Sequence, residues 1–223
     1  MKCSAEKKIL IIFLTVIVLT FNSCLGLSMD IQLNSGGSGK LFIEYKISKM
    51  LGNIGSLDGN ENWLTIPVGE NDWRRTLARI DGASLSSFSM SETGQDNIIK
   101  VIVDYDNLKT LLMIIDPEGK YSSADIRNNS GQFNIVFKNS DLSRYNIDQN
   151  MIPLINSMFE GYNFSVSFIA PVNSRFSITN GEGRNLILPS SAQVVQSGRK
   201  TSFTVGMAYF FNTKDDIDLK FNW

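Results

Sequence analysis

The 223-residue chain contains no histidine and only two cysteines, Cys3 and Cys24. The absence of histidine excludes nucleophiles activated by histidine, histidine general bases and histidine-ligated metals. Charged residues make up 19% and apolar residues 43%, a composition typical of a folded chain rather than a disordered one. The formal net charge of -1 gives no general electrostatic footprint for nucleic acid, so we expect no nucleic-acid partner.

The N-terminal segment has the pattern of an export signal. Three lysines and one glutamate in residues 1–8 precede an almost purely apolar run, Ile9 to Phe21. A run of this length matches the apolar region of a signal peptide and is too short to span a bilayer comfortably. The residues that follow, Phe21-Asn22-Ser23-Cys24, resemble the lipobox at which bacterial lipoproteins are acylated and cleaved.

That resemblance implies removal of residues 1–23 and acylation of Cys24, whose acyl chains anchor the protein to a membrane. The open alternatives are an uncleaved N-terminal anchor helix and an ordinary secretory signal that is cut nearby. Cys3 is then discarded, so residues 25–223 have no thiol for a disulfide, catalysis or metal binding. We predict a signal peptide over 1–23 and one exported domain over 24–223, in the bacterial cell envelope and facing the periplasm or the exterior.

Apolar and polar residues alternate over Leu27–Leu33 and Lys40–Ser48, on either side of the glycine-rich segment Asn34–Gly39. This predicts a β-hairpin whose glycines form a turn. A phosphate-binding loop is disfavoured because no P-loop lysine follows and the segment leads into a strand. Residues 50–62 and 117–131 are expected to be loops. Further strands are predicted over 85–91, 97–104, 132–138, 163–170, 175–179, 184–188, 201–211 and 216–223.

Three segments place apolar residues at helical spacing. The spacing predicts helices over Trp73–Ile80 with Asp72 as N-cap, over 108–115 with Asp106 as N-cap, and over 148–159. Strands and helices mix without regular βαβ units. The order therefore predicts the α+β class, an antiparallel β-sheet with about three helices packed on one face.

Three short segments carry a resemblance to a known family. They are the strand and glycine turn Met29–Gly39, the helix start Asp106-Asn107-Leu108, and the strands before the Asn180-Gly181 turn, Phe168–Gly181. Their order over residues 25–190 resembles that of the LppM-domain lipoproteins, a bacterial family of exported α+β domains. The resemblance implies a lipid or other apolar ligand in a groove between helix and sheet, and it implies no catalysis.

The apolar stripes of the second and third predicted helices are the candidate lining of such a groove. The alternative is that they are ordinary core, the common role of apolar residues at helical spacing. Methionine side chains adapt to ligands of varied shape, which favours the third helix as part of a binding site. The candidate residues are Leu108, Leu111, Leu112, Met151, Ile155, Met158 and Phe159.

Without histidine or a free thiol, catalysis would rest mainly on carboxylates, which cluster at Asp104/Asp106 and at Asp215, Asp216 and Asp218. Paired carboxylates could serve a glycosidase. Helix capping by Asp106, and a turn and the polar face of a strand for the second cluster, are the favoured explanation, so we predict no catalytic residue, metal or cofactor. The leading hypothesis is a non-enzymatic, membrane-anchored domain that binds an apolar ligand. The alternatives are a surface adhesin or envelope assembly scaffold using residues 162–223, and a carboxylate-dependent hydrolase.

Overall fold

The two segments that alternate around the glycine turn form neighbouring strands of a large β-sheet in a computed structural model of the chain. The structure describes residues 26–48, 67–94, 96–127, 130–138, 153, 156–157, 159–213 and 215–223. Within these ranges there are a seven-stranded sheet, a four-stranded sheet and three short helices.

The strands, in chain order, are β1 (Gly26–Leu33), β2 (Gly39–Ser48), β3 (Ala83–Thr93), β4 (Asp96–Tyr105), β5 (Ser122–Arg127), β6 (Ser130–Phe137), β7 (Asn163–Ile169), β8 (Arg175–Asn180), β9 (Gln193–Ser197), β10 (Lys200–Gly206) and β11 (Ile217–Asn222). The helices are α1 (Glu70–Leu77), α2 (Leu108–Ile115) and α3 (Ala208–Asn212).

Strand β1 lies in the interior of the large sheet, whose order is β3-β4-β2-β1-β7-β10-β9. It pairs antiparallel with β2, which places Met29 opposite Ile43, and parallel with β7, which places Met29 opposite Val166. The small sheet has the order β5-β6-β11-β8 and is antiparallel throughout. The β1–β7 pair is the one parallel pair among the described strands.

Aromatic side chains join the two sheets. Phe133 of β6 stacks on Phe168 of β7 with ring centroids 5.5 Å apart, and Phe137 meets the edge of Phe164 at 5.0 Å. Phe210 of α3 contacts both Phe137 and Phe164, and so extends the same cluster. The small sheet therefore covers the part of the large sheet that contains β7 and β10, and this contact buries aromatic surface from both layers.

Two helices pack against the other part of the large sheet. Helix α1 packs beside β3 and buries Trp73 and Leu77, and helix α2 lies against β3, β4 and β5 and buries Leu108 and Leu111. Each helix thus turns an apolar stripe towards the sheet, as its residue spacing predicts. Among the described residues, no helix combines the length and apolar character that a membrane crossing requires.

The prediction of an α+β fold with helices over one face of a single sheet is wrong. The described part of the chain is mostly β: eleven strands form two sheets, and the three helices are short. Strands β5 and β9 were not predicted because edge strands contribute few buried side chains and so show weak alternation. The segment 201–211, predicted as one strand, divides into β10 and α3. Of the predicted helix over 148–159, the structure describes residues 153, 156–157 and 159, of which 153 and 156–157 are helical; the other residues of this segment lie outside the described ranges.

The N-caps of both helices differ from the predicted residues, by three positions for α1 and by one for α2. Gly69, rather than Asp72, is the N-cap of α1, and the Asp72 carboxylate accepts a hydrogen bond from the Gly69 amide at 3.1 Å. Asn107, rather than Asp106, caps α2 by accepting from the Thr110 amide at 3.0 Å. Both side chains satisfy amides that the first turn of a helix leaves unpaired.

Candidate functional site

The structure places the predicted ligand-lining residues of α2 in the layer between that helix and the large sheet. Leu111 is 0% exposed and Leu108 is buried, while Leu112 is half-buried. Phe159 is also half-buried. Met151, Ile155 and Met158 lie outside the described residues. Leu108 and Leu111 of α2 therefore belong to the packed core, which leaves no space for a ligand beneath Leu111. A ligand could bind only at the border of this layer.

Polar contacts at both ends of α2 fix its position over the sheet. The Thr110 hydroxyl donates to the carbonyl oxygen of Asp81 at 3.0 Å. At the other end, the buried Asp116 carboxylate accepts from the backbone amides of Tyr121 and Ser122 at 2.6 and 2.7 Å. Burial alone raises the pKa of Asp116, but the hydrogen bonds from Tyr121, Lys120 and Ser122 outweigh it and lower the pKa overall. Asp116 therefore stays ionised and ties the end of α2 to the start of β5.

Two buried tyrosines provide the polar contacts beneath α1 and beside the hairpin turn. The Tyr45 hydroxyl accepts from the indole Nε1 of Trp73 at 2.9 Å and donates to the carbonyl oxygen of Pro67. The Tyr105 hydroxyl donates to the carbonyl oxygen of Gln32 at 2.8 Å. Burial raises the pKa of Tyr45 to about 12 and raises the pKa of Tyr105 as well. Both hydroxyls are therefore protonated, and they join layers rather than act as nucleophiles.

The helix-covered part of the large sheet leaves some apolar side chains open to solvent. Met90 on β3 is 53% exposed and Met113 on α2 is 39% exposed. Phe88, next to Met90 on the same face of β3, is half-buried and packs against the core. Flexible methionines beside a filled core make an adaptable apolar surface. The name methionine margin is used for these three side chains, Phe88 and Met90 on β3 and Met113 on α2, and each is a candidate contact for an apolar ligand.

The opposite face of the large sheet is polar, and sequence reasoning did not single it out. Asp30 of β1 lies directly opposite Ser167 of β7, and the Nζ of Lys200 lies 3.7 Å from the Asp30 carboxylate. Burial raises the pKa of Asp30, while Lys200 acts in the opposite direction. In the described part of the chain, one carboxylate oxygen of Asp30 and the Ser167 hydroxyl are buried without a hydrogen-bond partner. The polar row formed by Asp30, Ser167 and Lys200 therefore offers hydrogen-bond donors and acceptors to a small polar molecule such as water.

The predicted carboxylate clusters do not converge. Asp104 is on the large sheet, where it pairs with Lys40 at 2.6 Å and accepts from Ser86. These two hydrogen bonds lower the pKa of Asp104. Asp218 is on the small sheet, where it lies 3.7 Å from Lys220. Within the described ranges, no group of three acidic, cysteine or histidine residues could hold a metal ion.

Solved structures with some likeness to this chain include a lipoprotein domain. The folded domain of the LppM protein of Mycobacterium tuberculosis, solved by NMR, superposes with a TM-score of 0.42 at 9% sequence identity, covering 89% of each chain. A TM-score this low does not establish a common fold, so the resemblance to LppM-domain lipoproteins stays a hypothesis. No protein-family model and no curated protein matches the chain.

Proposed function

We propose that the chain is the exported domain of a bacterial lipoprotein, held at a membrane by acyl chains on Cys24, and that it acts by binding rather than by catalysis. The observation that supports this best is the position of β1. That strand begins at Gly26, two residues after Cys24, and it is an interior strand of the large sheet. A cut before Cys24 would therefore remove the signal-like segment and leave every described strand complete.

The same position determines how such an anchor would hold the domain. Two extended residues span at most ~7 Å, so the acylated residue would lie that close to the start of β1. Because β1 pairs on both sides, the anchor would be joined to one of the most firmly held strands of the fold. The domain would therefore stay at the membrane surface instead of extending from it on a flexible linker.

Acylation is tested by feeding cells an alkyne-tagged fatty acid and measuring the label on the immunoprecipitated full chain. The two cysteines of the chain, Cys3 and Cys24, provide a matched pair of variants. Cys3→Ser should keep the label, and Cys24→Ser should lose it. Equal labelling of the two variants, or no label on the wild-type chain, would contradict the anchor. Either result would favour an uncleaved helix or an ordinary secretory signal.

For the bound ligand, we propose a lipid or other apolar molecule at the methionine margin. Exposed methionines at the border of a filled core support this, because they can cover an acyl chain without disturbing buried residues. The proposal does not involve Leu108 or Leu111, which the core already contains. The proposed contacts are instead Phe88 and Met90 on β3, and Met113 with the half-buried Leu112 on α2.

Native mass spectrometry after gentle extraction tests the ligand, with added dioleoyl phosphatidylglycerol as the probe. Met90→Glu and Met113→Glu should reduce lipid uptake severalfold. Val172→Glu is the matched control, because Val172 is exposed to a similar degree and follows β7, away from the margin. A clean unliganded mass for the wild-type chain, with no uptake of the added lipid, would exclude the proposed ligand.

An assembly scaffold is the second candidate function, and one observation favours it. Strand β9 ends the large sheet with an exposed and uncharged edge, the kind of surface through which β-proteins associate. Protease treatment of intact cells separates this role from that of an adhesin. A chain that is cut only after the outer envelope is permeabilised cannot act as a surface adhesin.

A further inference from the structure

We infer that β9 is a self-pairing edge, through which two copies of this chain join their large sheets into one. The two sheets have four end strands among the described residues, β3 and β9 in the large sheet and β5 and β8 in the small one. Open edges carry unpaired backbone groups, and proteins usually protect them with charges, bulges, prolines or covering segments. The four edges differ in this protection.

The β8 edge is covered by the chain that follows it. Asn185 forms a bridge with Thr179, and the Leu186 amide donates to the carbonyl oxygen of Ile178 at 3.3 Å. A second protein strand could not pair along this edge without displacing that segment. The β8 edge is therefore closed by the chain itself.

The β3 and β5 edges are protected in other ways. Strand β3 carries a register shift between Leu85 and Ser87, and α1 packs beside it. Such a bulge bends an edge and interrupts the regular spacing of its backbone donors and acceptors. Strand β5 has the exposed, charged Asp125 in its centre. Both features oppose the addition of a further strand.

Strand β9 has no bulge, proline or charge, and its backbone is not bridged by a following segment; its Gln196 side chain donates to the carbonyl oxygen of Phe176 in β8 at 3.3 Å. Its five residues, Gln193–Ser197, are all exposed, uncharged and free of proline, and they pair with β10 in unbroken register. Val195, the central residue, is 56% exposed, and Val194 is exposed as well. Among the described residues, β10 is its one strand partner. A regular edge with exposed valines and no charge is well suited to strand addition.

The sequence of β9 is compatible with two-fold symmetry. A two-fold axis perpendicular to the sheet through Val195 would place this residue opposite its own copy, Gln193 opposite Ser197, and Val194 opposite Gln196. All five residues then pair, and no like charges face each other. An axis through Val194 would leave two of the five residues without a partner in the copy's strand. A second copy therefore matches the whole edge in one register, as an isologous dimer requires.

The dimer does not require membrane attachment. If both copies are attached, however, it limits how they can be oriented on the bilayer. Val195 lies in the same row as Ser202, Ser167 and Asp30, so the axis is level with Asp30 in β1. Gly26 is four residues away, which is ~13 Å along the strand. The two copies of Gly26 would be offset by ~26 Å along the strand direction. Both anchors would reach one bilayer when the strands run along its surface.

Cysteine cross-linking in membranes tests the contact in the full-length chain. Val195→Cys would bring two thiols together on the axis, because cross-strand neighbours lie within the Cα separation that a disulfide accepts. Ile126→Cys is the matched control, since Ile126 lies on β5, an edge strand of the small sheet, and is 38% exposed. After mild oxidation, Val195→Cys should give a covalent dimer several times more abundant than that of Ile126→Cys or the wild-type chain. Equal dimer yields from the two variants would overturn the proposal.

A charge placed on the axis gives an independent test by sedimentation in detergent. Val195→Lys should weaken dimerisation at least ~10-fold, because two like charges then face each other in adjacent strands. Ile126→Lys should dimerise as the wild-type chain does. Circular dichroism verifies that both variants are folded, and Val195→Glu, which also places two like charges opposite each other, replaces Val195→Lys if that variant is not folded. A monomeric wild-type chain, or unchanged dimerisation of the folded Val195 variant, would contradict the self-pairing edge.

Discussion

The indole Nε1 of Trp73 donates a hydrogen bond to the hydroxyl of Tyr45 at 2.9 Å, and that hydroxyl donates in turn to the carbonyl oxygen of Pro67. Trp73 belongs to α1 and Tyr45 to β2, so one hydroxyl connects a helix, a strand and the segment that leads into the helix. Because both ring systems are buried, water cannot replace either bond without opening the layer.

Removal of that hydroxyl should destabilise the fold. Tyr45→Phe leaves the indole N–H and the Pro67 carbonyl without their partner, so we expect a loss of about 1–3 kcal/mol in the free energy of unfolding. Urea titration followed by tryptophan fluorescence measures it. In the double variant Tyr45→Phe/Trp73→Phe the loss should be smaller than the sum of the two single losses, since one bond is removed twice. Strict additivity would mean that the two side chains are not coupled.

The glycine turn between β1 and β2 provides a second prediction. A methyl group at Gly39 would overlap the carbonyl oxygen of Gln32 and the hydroxyl of Tyr105, whereas at Gly36 nothing lies within 4 Å. Gly39→Ala should therefore cost about 1–3 kcal/mol or more. Gly36→Ala should change stability by no more than ~1 kcal/mol, in the stabilising direction. Thermal unfolding of the two variants measures the difference. Equal melting temperatures would contradict the close approach of other atoms at Gly39.

The ionisation of the Asp116 carboxyl should make the stability of the fold depend on pH. Its pKa is lowered below 3.8 in the folded chain, so its ionised form stabilises the fold above that pH. The contribution is lost as the pH falls through the folded-state pKa. Asp116→Asn should thus be less stable than the wild-type chain by about 1–3 kcal/mol at pH 7, since it loses hydrogen bonds to a charged acceptor. The difference should shrink in acid, and a gap that does not change down to pH 3 would exclude this role.

The two parts of the α2 stripe should respond differently to truncation. Leu111→Ala removes a fully buried side chain, so we expect a loss of about 2–5 kcal/mol. Met113→Ala, at a position that is largely exposed, should cost well under ~1 kcal/mol. Chemical denaturation of the unliganded chain measures both. A small loss for Leu111→Ala would show that this residue borders free space rather than packed core.

Strands and helices with a clear apolar pattern could be predicted from the sequence. In each of them one side packs against the core and the other faces solvent. The β1–β2 hairpin and its glycine turn are confirmed, as are the two helices near Trp73 and Leu108. In each case the apolar residues recur with the period of the element that they form. The end of α2 at Asp116 is also confirmed.

The distribution of the strands over two sheets could not be predicted, because it depends on pairs that are distant in sequence, such as β1–β7 in the large sheet and β8–β11 in the small sheet. The β1–β7 contact joins Leu27 to Phe164, and nothing local to either strand specifies a parallel partner. Edge strands such as β9 bury too few side chains to show an alternating pattern. The polar row at Asp30 and Ser167 was missed for a related reason, since outward-facing positions of a strand read as ordinary surface until the register is known.

We propose that the mature chain begins at an acylated Cys24 directly before β1. The intact mass and N-terminal peptide of the chain, extracted from membranes of cells that express it in full, test this directly. We expect a chain without residues 1–23, whose first residue is Cys24 carrying a diacylglyceryl group. A chain that retains Met1–Ser23, or one that begins elsewhere with an unmodified Cys24, would contradict it.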